Sequence, residues 1–399
     1  MSKSISPFTR EQLLPQEETL EVFKKKGNLF IGIPKETYFQ EKRVCLTPDA
    51  VSALVSNGHR VMIEAGAGDG ANFKDRTYSE AGAEITKDTA KVYSCPIILK
   101  VEPPSLDEIK LINPQTLLIS ALQLKTQSKK YFETLATKRI TALAFEFIKD
   151  DDGSYPAVRS LSEIAGTASI LIAAELLSNI NGGNGLMFGN ISGVPPTEVV
   201  IIGAGTVGEF AARSAIGMGA NVKIFDNSIT KLRSVQSHLG RTLYTSTLQP
   251  KNLIKALKRC DVAIGAVRGT NRAPVVVTEA MVDCMKTGAV VIDVSIDMGG
   301  CFETSEVTTH DKPTFDYNGI VHYCVPNIPA RYSRSSSVSI SNMFTPYLLK
   351  IGEDGGIENA LRFDRGLKNG LYFYHGILTS KLVANWFDLK YTDVNLLIF

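Results

Sequence analysis

Residues 198–226 read EVVIIGAGTVGEFAARSAIGMGANVKIFD, and this stretch decides the fold. A short apolar run is followed at once by Gly203, Gly205 and Gly208, and then by an alanine-rich segment of helical character. A second apolar run closes the stretch and ends at Asp226. A strand, a glycine-rich turn, a helix and a second strand in this order predict a βαβ unit with parallel strands.

The three glycines predict a dinucleotide site at the turn between strand and helix. Gly203 permits the tight turn, Gly205 lets the backbone approach a pyrophosphate, and Gly208 lets helix and strand pack closely. Val207 lies inside the motif and is assigned to the same site. The helix N-terminus adds N–H donors and a partial positive charge. Asp226 would accept hydrogen bonds from ribose hydroxyls and repel a 2′-phosphate, which favours NAD(H) over NADP(H).

Further cofactor contacts are expected beyond this turn. The strand predicted over 261–266 ends in small residues, Ala266 followed by Val267, as expected where a backbone runs beside a cofactor. Two interpretations of Lys231, five residues after Asp226, stay open. This lysine either reaches the ribose or is a solvated side chain of the next helix.

Strand-like runs alternate with helical patterns along most of the chain, which indicates a parallel α/β architecture. Strand patterns lie at 29–33, 60–64, 96–101, 117–122 and 141–145, and then at 198–202, 221–225, near 241–244, 261–266, 289–294 and 320–324. Helices are predicted over 16–26, from an N-cap at Thr47, over 76–82, and over 162–180 with Ser162 as its N-cap.

The six strands from the glycine motif onward fit a complete doubly wound sheet. Residues after about 335 read as helices that cannot form a domain alone, so we expect them to pack on the N-terminal part of the chain. The predicted fold is therefore α/β with two domains. A Rossmann-type doubly wound NAD domain (161–334) is inserted into a discontinuous α/β substrate domain (29–160 and 335–399), which follows an N-terminal extension (1–28).

Composition excludes several classes of protein. The 399 residues carry a net charge of +2, which argues against a nucleic-acid partner. No uncharged apolar run reaches the ~18 residues of a membrane span, and the best candidate, 164–174, reads as a buried helix. The N-terminus lacks a secretory signal, and six cysteines without a CxxC pair indicate reduced thiols in the cytoplasm. The five scattered histidines predict no metal site.

Several blocks of sequence resemble the alanine dehydrogenase family, which includes the NAD-binding subunit of proton-translocating transhydrogenase. The clearest are GIPKETYFQEKRVCLTPDAV (32–51), the stretch around the glycine motif, and VIDVSIDMGGCFETSEVTTHDKPTFDYNGIVHYCVPNIPA (291–330). The resemblance covers roughly 29–385. It implies a cleft in which L-alanine, a small-molecule substrate, is oxidised to pyruvate and ammonia. It also implies a symmetric homo-oligomer, a hexamer or a dimer.

The resemblance also assigns site residues. Arg43 matches the arginine that binds the substrate carboxylate, and a guanidinium offers the two-pronged geometry that a carboxylate needs. Asp297 matches an essential aspartate that exchanges protons or orients the attacking water. Asn327 and Ile328 match the segment that flanks the nicotinamide, and Ser162 matches a serine that contacts the cofactor.

Two positions depart from the family pattern. Gln123, in SALQLKT, takes the place of the family's catalytic histidine, and an amide cannot exchange a proton near neutral pH. Loss of such acid–base help typically costs ~10²–10⁴ in rate. The family's KVKEP-type lysine is matched by Lys100 of ILKVEPP, one residue nearer to Glu-Pro, so Lys100 serves only if a bulge or gap restores its direction. Lys125 is the fallback.

The predicted function is NAD-dependent oxidative deamination of L-alanine, with Asp297, Gln123 and Lys100 as catalytic residues and Arg43 and Lys100 as substrate ligands. Two alternatives stay open. The chain is a nucleotide-binding subunit related to transhydrogenase, or it is an NAD-binding protein of reduced catalytic activity. A membrane partner would be needed for the first alternative, and Gln123 together with the shifted lysine supports the second.

Overall fold

The computed structural model describes residues 27–269 and 272–398, so the helix predicted over 16–26 lies outside the described residues. Two sheets, each flanked by helices, organise this part of the chain. One sheet takes its strands from residues 30–144 and 371–378, and the other takes them from 198–323. The predicted two-domain α/β fold is confirmed, whereas the domain boundaries at 28, 160 and 334 stay a prediction.

The first sheet has the order β15-β14-β6-β5-β4-β1-β2-β3. Strands β1 to β6 are parallel to one another, whereas β14 pairs in antiparallel fashion with both β6 and β15. The bounds are β1 Phe30–Ile33, β2 Arg60–Glu64, β3 Glu84–Thr86, β4 Ile97–Leu99, β5 Leu117–Ser120, β6 Thr141–Ala144, β14 Leu371–Tyr374 and β15 Ile377–Leu378.

The strands β14 and β15 correct the expectation that only helices follow residue 335. Between them, His375 and Gly376 both have positive φ, at 47° and 82°. Two left-handed residues between short strands form the tight hairpin turn that matches the strand twist. The short aromatic run of β14 carries no alternation of polar and apolar residues, because it is buried against β6. The C-terminal segment therefore completes the first sheet.

The second sheet has the order β12-β13-β11-β10-β7-β8-β9. Apart from the edge strand β12, its strands are parallel and follow the doubly wound order predicted. The bounds are β7 Glu198–Ile202, β8 Asn221–Phe225, β9 Tyr244–Ser246, β10 Val262–Gly265, β11 Val290–Asp293, β12 Thr314–Tyr317 and β13 Ile320–Tyr323. Strand β12 was not predicted, although Asn318-Gly319, both with positive φ, is a strong hairpin signal.

The helices surround both sheets, with the predicted N-cap Thr47 accepting a hydrogen bond from Ala50 N. Their bounds are α1 Pro48–Ser56, α2 Asp75–Glu80, α3 Thr89–Tyr93, α4 Leu106–Leu111, α5 Lys129–Thr137, α6 Pro156–Leu176, α7 Thr206–Gly217, α8 Ile229–Leu239, α9 Pro250–Leu257, α10 Glu279–Val282, α11 Ser333–Glu353, α12 Ile357–Phe363, α13 Arg365–Gly370 and α14 Lys381–Phe387.

Helix α6 begins earlier than predicted. Pro156 occupies its first turn, where the fixed φ of proline favours helix initiation, and Tyr155 takes the N-cap position. Ser162 is therefore an interior residue of α6 and not its N-cap. With 21 residues, α6 is long and apolar enough to cross a membrane, the one such helix in the described part of the chain. Yet Gly166 packs tightly on the Val207 carbonyl of α7, as in a core helix.

Helix α11 joins the second sheet to the core of the first. Ile340, Phe344, Leu348 and Ile351 of this helix are buried in the core that β1 and β2 share. The Phe344 ring meets Phe145, which follows β6, edge to face at 5.4 Å between ring centroids. An aromatic side chain in this position fixes the helix against the sheet.

Phe344→Ala should lower the free energy of unfolding of this domain by about 3–5 kcal/mol, because it removes a buried aromatic ring and leaves a cavity. Urea denaturation followed by circular dichroism measures the change. Val338→Ala on the same helix, where the side chain is 38% exposed, is the matched control and should change stability by less than about 0.5–1 kcal/mol. Equal effects of the two substitutions would contradict the packing described.

Candidate active site

The glycine turn after β7 has the shape that the motif predicts. Gly203 has φ +111°, and a Cβ there would lie 2.3 Å from the carbonyl oxygen of Ala266. A Cβ on Gly208 would lie 1.9 Å from the Gly203 oxygen. Gly205 is the N-cap of α7 and has open space beside it. Val207 lies in the first turn of α7. The backbone N–H groups of this turn are therefore open to a ligand bound at the glycine turn.

Asp226 lies beside this turn at the end of β8. One carboxylate oxygen accepts a hydrogen bond from Ala204 N at 2.8 Å, and the other accepts one from Ser228 N at 2.7 Å. These bonds hold the carboxylate next to the glycine turn. Lys231 is exposed in the first turn of α8, where its backbone N–H donates to the Ser228 hydroxyl. Both interpretations of its side chain stay open.

The end of β10 forms the other wall of the turn. Ala266 N donates to the Ile202 carbonyl at 2.7 Å, and Val267 N donates to the Ser295 hydroxyl at 2.9 Å. These bonds align the segment with the glycine turn. Ser162 is half-buried in the second turn of α6, on a separate element. Its predicted contact with the cofactor stays a prediction.

A buried charge cluster lies after β1 and β4 in the first sheet. Arg43 is 4% exposed and is held by Glu41, with Nε 2.8 Å from Oε1 and Nη2 2.5 Å from Oε2. Arg43 Nη2 also lies 3.4 Å from Glu102 Oε1. The other oxygen of Glu102 accepts a hydrogen bond from the Gln123 amide. Arg43 and Gln123, both predicted site residues, are thus joined through Glu102.

Burial and charge act in opposite directions on the two carboxyl groups of this cluster. Burial acts to raise the pKa of Glu41, but the charge and hydrogen bonds of Arg43 outweigh it and hold that pKa well below its usual range. Burial, together with the negative charge of Glu41, raises the pKa of Glu102 to about 8 against the opposing charge of Arg43. These opposing effects separate the pKa values of the two carboxyl groups, and that of Glu102 is the higher.

The backbone around Gln123 is held in an uncommon conformation. Gln123 has φ 44° and ψ 56°, in the left-handed region. The N–H groups of Leu122 and Gln123 both donate to one oxygen of Glu146, at 2.7 and 3.3 Å. Such a conformation costs on the order of 1 kcal/mol or more and persists where surrounding contacts impose it. Glu146, absent from the sequence prediction, therefore positions Gln123 toward Glu102.

The second sheet contributes Asp297 and Asn327. Asp297 is exposed, and its Oδ1 accepts a hydrogen bond from Asn327 N at 2.9 Å. Asn327 has φ +55°, and its side-chain amide donates to Glu41 Oε2 at 3.1 Å. Ile328 follows as the buried first residue of a short 3₁₀ helix. Predicted residues of the two sheets therefore meet around Arg43.

The turn that carries Asp297 is organised by Asp293, which the sequence analysis did not single out. The carboxylate of Asp293 is fully buried and accepts hydrogen bonds from the backbone of Ser295, Cys301 and Phe302 and from the Ser305 hydroxyl. The sequence did contain a signal for Asp293, because this residue ends an apolar strand pattern and is followed by the Gly299-Gly300 pair. This network sets the position of Asp297.

Lys100 lies in a neighbouring but different cluster. Its ammonium group is 2.9 Å from Glu108 Oε1, 3.5 Å from Glu36 Oε2 and 3.4 Å from the Tyr93 hydroxyl. These three partners surround a side chain that is 1% exposed. The structure thus directs Lys100 toward Glu36 and Glu108, whereas Glu102, two residues later, faces Arg43. Lys125, the fallback, lies with its Nζ 3.6 Å from the sulfur of Met298.

Comparison with known proteins identifies the family. The profile "Alanine dehydrogenase/PNT, N-terminal domain" matches residues 32–165, and the corresponding C-terminal domain profile matches 169–381. The chain is 39% identical over 366 residues to "Alanine dehydrogenase 2" of Staphylococcus aureus (strain USA300), which covers 91% of this chain and 98% of that protein. The chain belongs to the alanine dehydrogenase/PNT family.

Solved structures agree with this family. An L-alanine dehydrogenase is 34% identical, with a TM-score of 0.85 over 90% of this chain and 99% of its own. A transhydrogenase from Sinorhizobium meliloti, 23% identical, has a TM-score of 0.76 over 88% of this chain and 99% of its own, and it shares the fold. The family resemblance predicted from the motifs is confirmed.

Glu102 was not predicted as a site residue from the sequence, yet it lies between Arg43 and Gln123, which were. Its position two residues after Lys100, in the same ILKVEPP segment, was the available signal. Among residues 27–269 and 272–398, no group of His, Cys, Asp and Glu is arranged to hold a metal ion.

Lys100→Met should lower the free energy of unfolding by about 3–5 kcal/mol, because it leaves the buried carboxylates of Glu36 and Glu108 without their cation. Urea denaturation measures the change. Lys110→Met, which removes an exposed lysine paired with Asp107, is the matched control and should have little effect. If Lys100→Met is as stable as the control, the structural role assigned to Lys100 is incorrect.

Proposed function

We propose that this chain is an NAD-dependent alanine dehydrogenase that catalyses the reversible oxidative deamination of L-alanine to pyruvate and ammonia. The meeting of Arg43 with Asn327 and Asp297, beside a dinucleotide turn, is the observation that carries the proposal. The identity to the Staphylococcus aureus protein named alanine dehydrogenase, over nearly its whole length, supports the substrate.

The residues around the glycine turn fit NAD. A Cβ at Gly203 or Gly208 would clash with backbone, whereas Gly205 leaves open space in which a pyrophosphate can approach the N-terminus of α7. Val207 of α7, together with Ala266 and Val267, which follow β10, completes this wall. When bound, NAD⁺ supplies a hydride acceptor.

The remaining predicted cofactor ligands surround the same site. In this proposal Asp226 holds the adenine ribose and Lys231 lies beside it. Asn327 and Ile328 flank the nicotinamide, and Ser162 approaches the cofactor from α6. These assignments rest on the family resemblance and on the positions of the elements that carry the residues.

Each group at the substrate end has a defined chemical task. Arg43 anchors the substrate carboxylate, because its guanidinium is fixed by Glu41 and cannot lose its charge. Asp297 has one oxygen bound by Asn327 N and is otherwise exposed, so it orients the water that attacks the substrate carbon or exchanges protons with that water. Gln123 donates a hydrogen bond to the substrate oxygen, and its amide cannot carry a proton.

The wider setting is also part of the proposal. All six cysteines are free thiols, which fits a cytoplasmic enzyme. The family resemblance supports a symmetric homo-oligomer, a hexamer or a dimer. The residue boundaries proposed above, with 29–160 and 335–399 as substrate domain and 161–334 as NAD domain, agree with the strand membership of the two sheets.

A second candidate function is an NAD-binding protein of low turnover. Gln123 stands where the family resemblance implies a histidine, and Lys100 is paired with Glu36 and Glu108; both observations favour the second candidate. Both candidates require the dinucleotide site, and they differ only in catalysis.

Incubation of the full-length chain with NAD⁺ and a panel of L-amino acids at alkaline pH should give NADH, fastest with L-alanine. Pyruvate and ammonia should consume NADH in the reverse direction. NADH absorbance measures both rates, and NADH fluorescence measures cofactor binding independently. Tight NADH binding without turnover of any amino acid would reject the dehydrogenase proposal and favour the second candidate.

Asp226→Asn should shift cofactor preference toward NADPH by about tenfold or more, because it removes the charge that repels a 2′-phosphate while its amide oxygen still accepts one backbone hydrogen bond. Fluorescence titrations with NADH and NADPH give the ratio of dissociation constants. Asp316→Asn, an exposed position on β12, is the control and should leave the ratio unchanged. An unchanged ratio for Asp226→Asn would remove Asp226 from the ribose site.

A further inference from the structure

Glu102 occupies the space between the carboxylate anchor and the position of the family's histidine. Its side chain is almost fully buried, with Oε1 3.4 Å from Arg43 Nη2 and Oε2 accepting from the Gln123 amide. A substrate carboxylate on Arg43 would therefore place the neighbouring substrate carbon close to Glu102. Glu102 is not among the site residues predicted from the sequence.

The two carboxyl groups beside Arg43 differ in how many hydrogen bonds they already accept. Glu41 accepts from the backbone of Lys42 and Arg43, from the Arg43 guanidinium and from the Asn327 amide. A carboxylate has about four lone-pair sites, so Glu41 is saturated. Glu102 accepts from one amide, has one long contact to Arg43 and shares a side-chain hydrogen bond with Glu41. It has fewer donors than Glu41 and therefore retains a lone pair for a further donor.

An amino-acid substrate brings a negative carboxylate and a positive ammonium group to this cluster. Its carboxylate would bind Arg43, and its ammonium group, one carbon away, then needs an acceptor in a site with little access to water. A buried ammonium group without an acceptor is strongly unfavourable. Of the two glutamates beside Arg43, Glu102 is the one with a lone pair left to accept from this ammonium group, so its position matches the second charge of the zwitterion.

We propose that Glu102 binds the ammonium group of the substrate and accepts a proton from it. This inference rests on the proposed function. The ammonium N–H bond breaks, the proton forms an O–H bond on Glu102, and the nitrogen keeps the electron pair. The amine can then stabilise the carbon from which hydride leaves to the NAD⁺ of the proposed reaction. In the direction of amination, the protonated Glu102 returns the proton to nitrogen.

The surroundings of Glu102 suit proton exchange near the pH of an alkaline assay. The charged groups that face it are Glu36, Glu41 and Arg43 from the segment after β1, while Gln123 after β5 is neutral. Lys100 acts on Glu36 and Glu108 instead, and Asp297 faces Arg43 from the second sheet. Burial and Glu41 raise the pKa of Glu102 to about 8.

The sign of the pH dependence follows from this pKa. Only the carboxylate form of Glu102 can accept a proton, so kcat/KM for alanine oxidation should rise with pH through about 8. Only the protonated form can donate, so amination of pyruvate should fall over the same range. Opposite pH dependences in the two directions are expected of a group that accepts the proton in oxidation and donates it in amination.

The test is Glu102→Gln, which keeps the shape of the side chain and an oxygen that accepts from Arg43. We expect kcat for alanine oxidation to fall by ~10²–10⁴ and the rise of kcat/KM near pH 8 to disappear. Propionate, which has the carboxylate and lacks the ammonium group, is a competitive probe of Arg43. Its inhibition constant should stay unchanged while the KM for alanine increases.

The controls separate a chemical role from a structural one. Glu198→Gln changes a half-buried glutamate, paired with Lys223, at the opposite end of β7 from the glycine turn, and it should leave the kinetics unchanged. Thermal unfolding and NADH binding of Glu102→Gln should match the unsubstituted chain. A parallel loss of propionate binding, alanine turnover and thermal stability would assign Glu102 a structural role and overturn the proposal.

Two other outcomes would also overturn the proposal for Glu102, and they have different consequences for the proposed function. If the unsubstituted chain oxidises alanine and Glu102→Gln retains its rate and pH profile, the role of Glu102 is wrong and the proposed function stands. If the unsubstituted chain binds NADH and oxidises none of the amino acids, the proposed function fails, and the proposal for Glu102 fails with it.

Discussion

The buried guanidinium of Arg43 is the constraint on which the site depends. A cation that is 4% exposed must be compensated, because an unpaired buried charge costs several kcal/mol. Glu41 compensates it through two charge-assisted hydrogen bonds and also accepts a hydrogen bond from Asn327 of the second sheet. The arrangement that keeps Arg43 charged therefore also fixes how the two halves of the site meet.

Much of the fold follows from local sequence. Strands β7 and β8 lie where their apolar runs predict, because the glycine turn and the ends of each run coincide. The two hairpins were not predicted from the sequence, and the reason lies in their surroundings. Strand β14 is buried on both sides, so its residues do not alternate, and β12 is a short edge strand. Whether such runs form strands depends on a neighbouring strand, and a single sequence does not show that neighbour.

The residues of the site likewise fall into two groups, those that the sequence predicts and those whose role depends on the fold. Arg43, Asp297 and Asn327 belong to motifs that can be read one at a time, and the fold brings them together. The roles of Glu41 and Glu102 depend on pairing instead. Strand β4 lies beside β1 in the sheet, and this order brings Glu102 to Arg43 across 59 residues of sequence. A motif compared residue by residue favours a lysine at this place, whereas the sheet order selects the carboxyl group.

Gln123 and Glu102 act together beside Arg43. They are an amide and a carboxyl group joined by a hydrogen bond, and neither adds positive charge to the cluster. With its raised pKa, Glu102 lets the cluster of Glu41, Arg43 and Glu102 be neutral when protonated and singly negative when not. A zwitterionic substrate has no net charge, so its binding leaves this balance intact. The proton that a histidine would carry then belongs on the carboxyl group, while Gln123, held by Glu146, keeps that group in place.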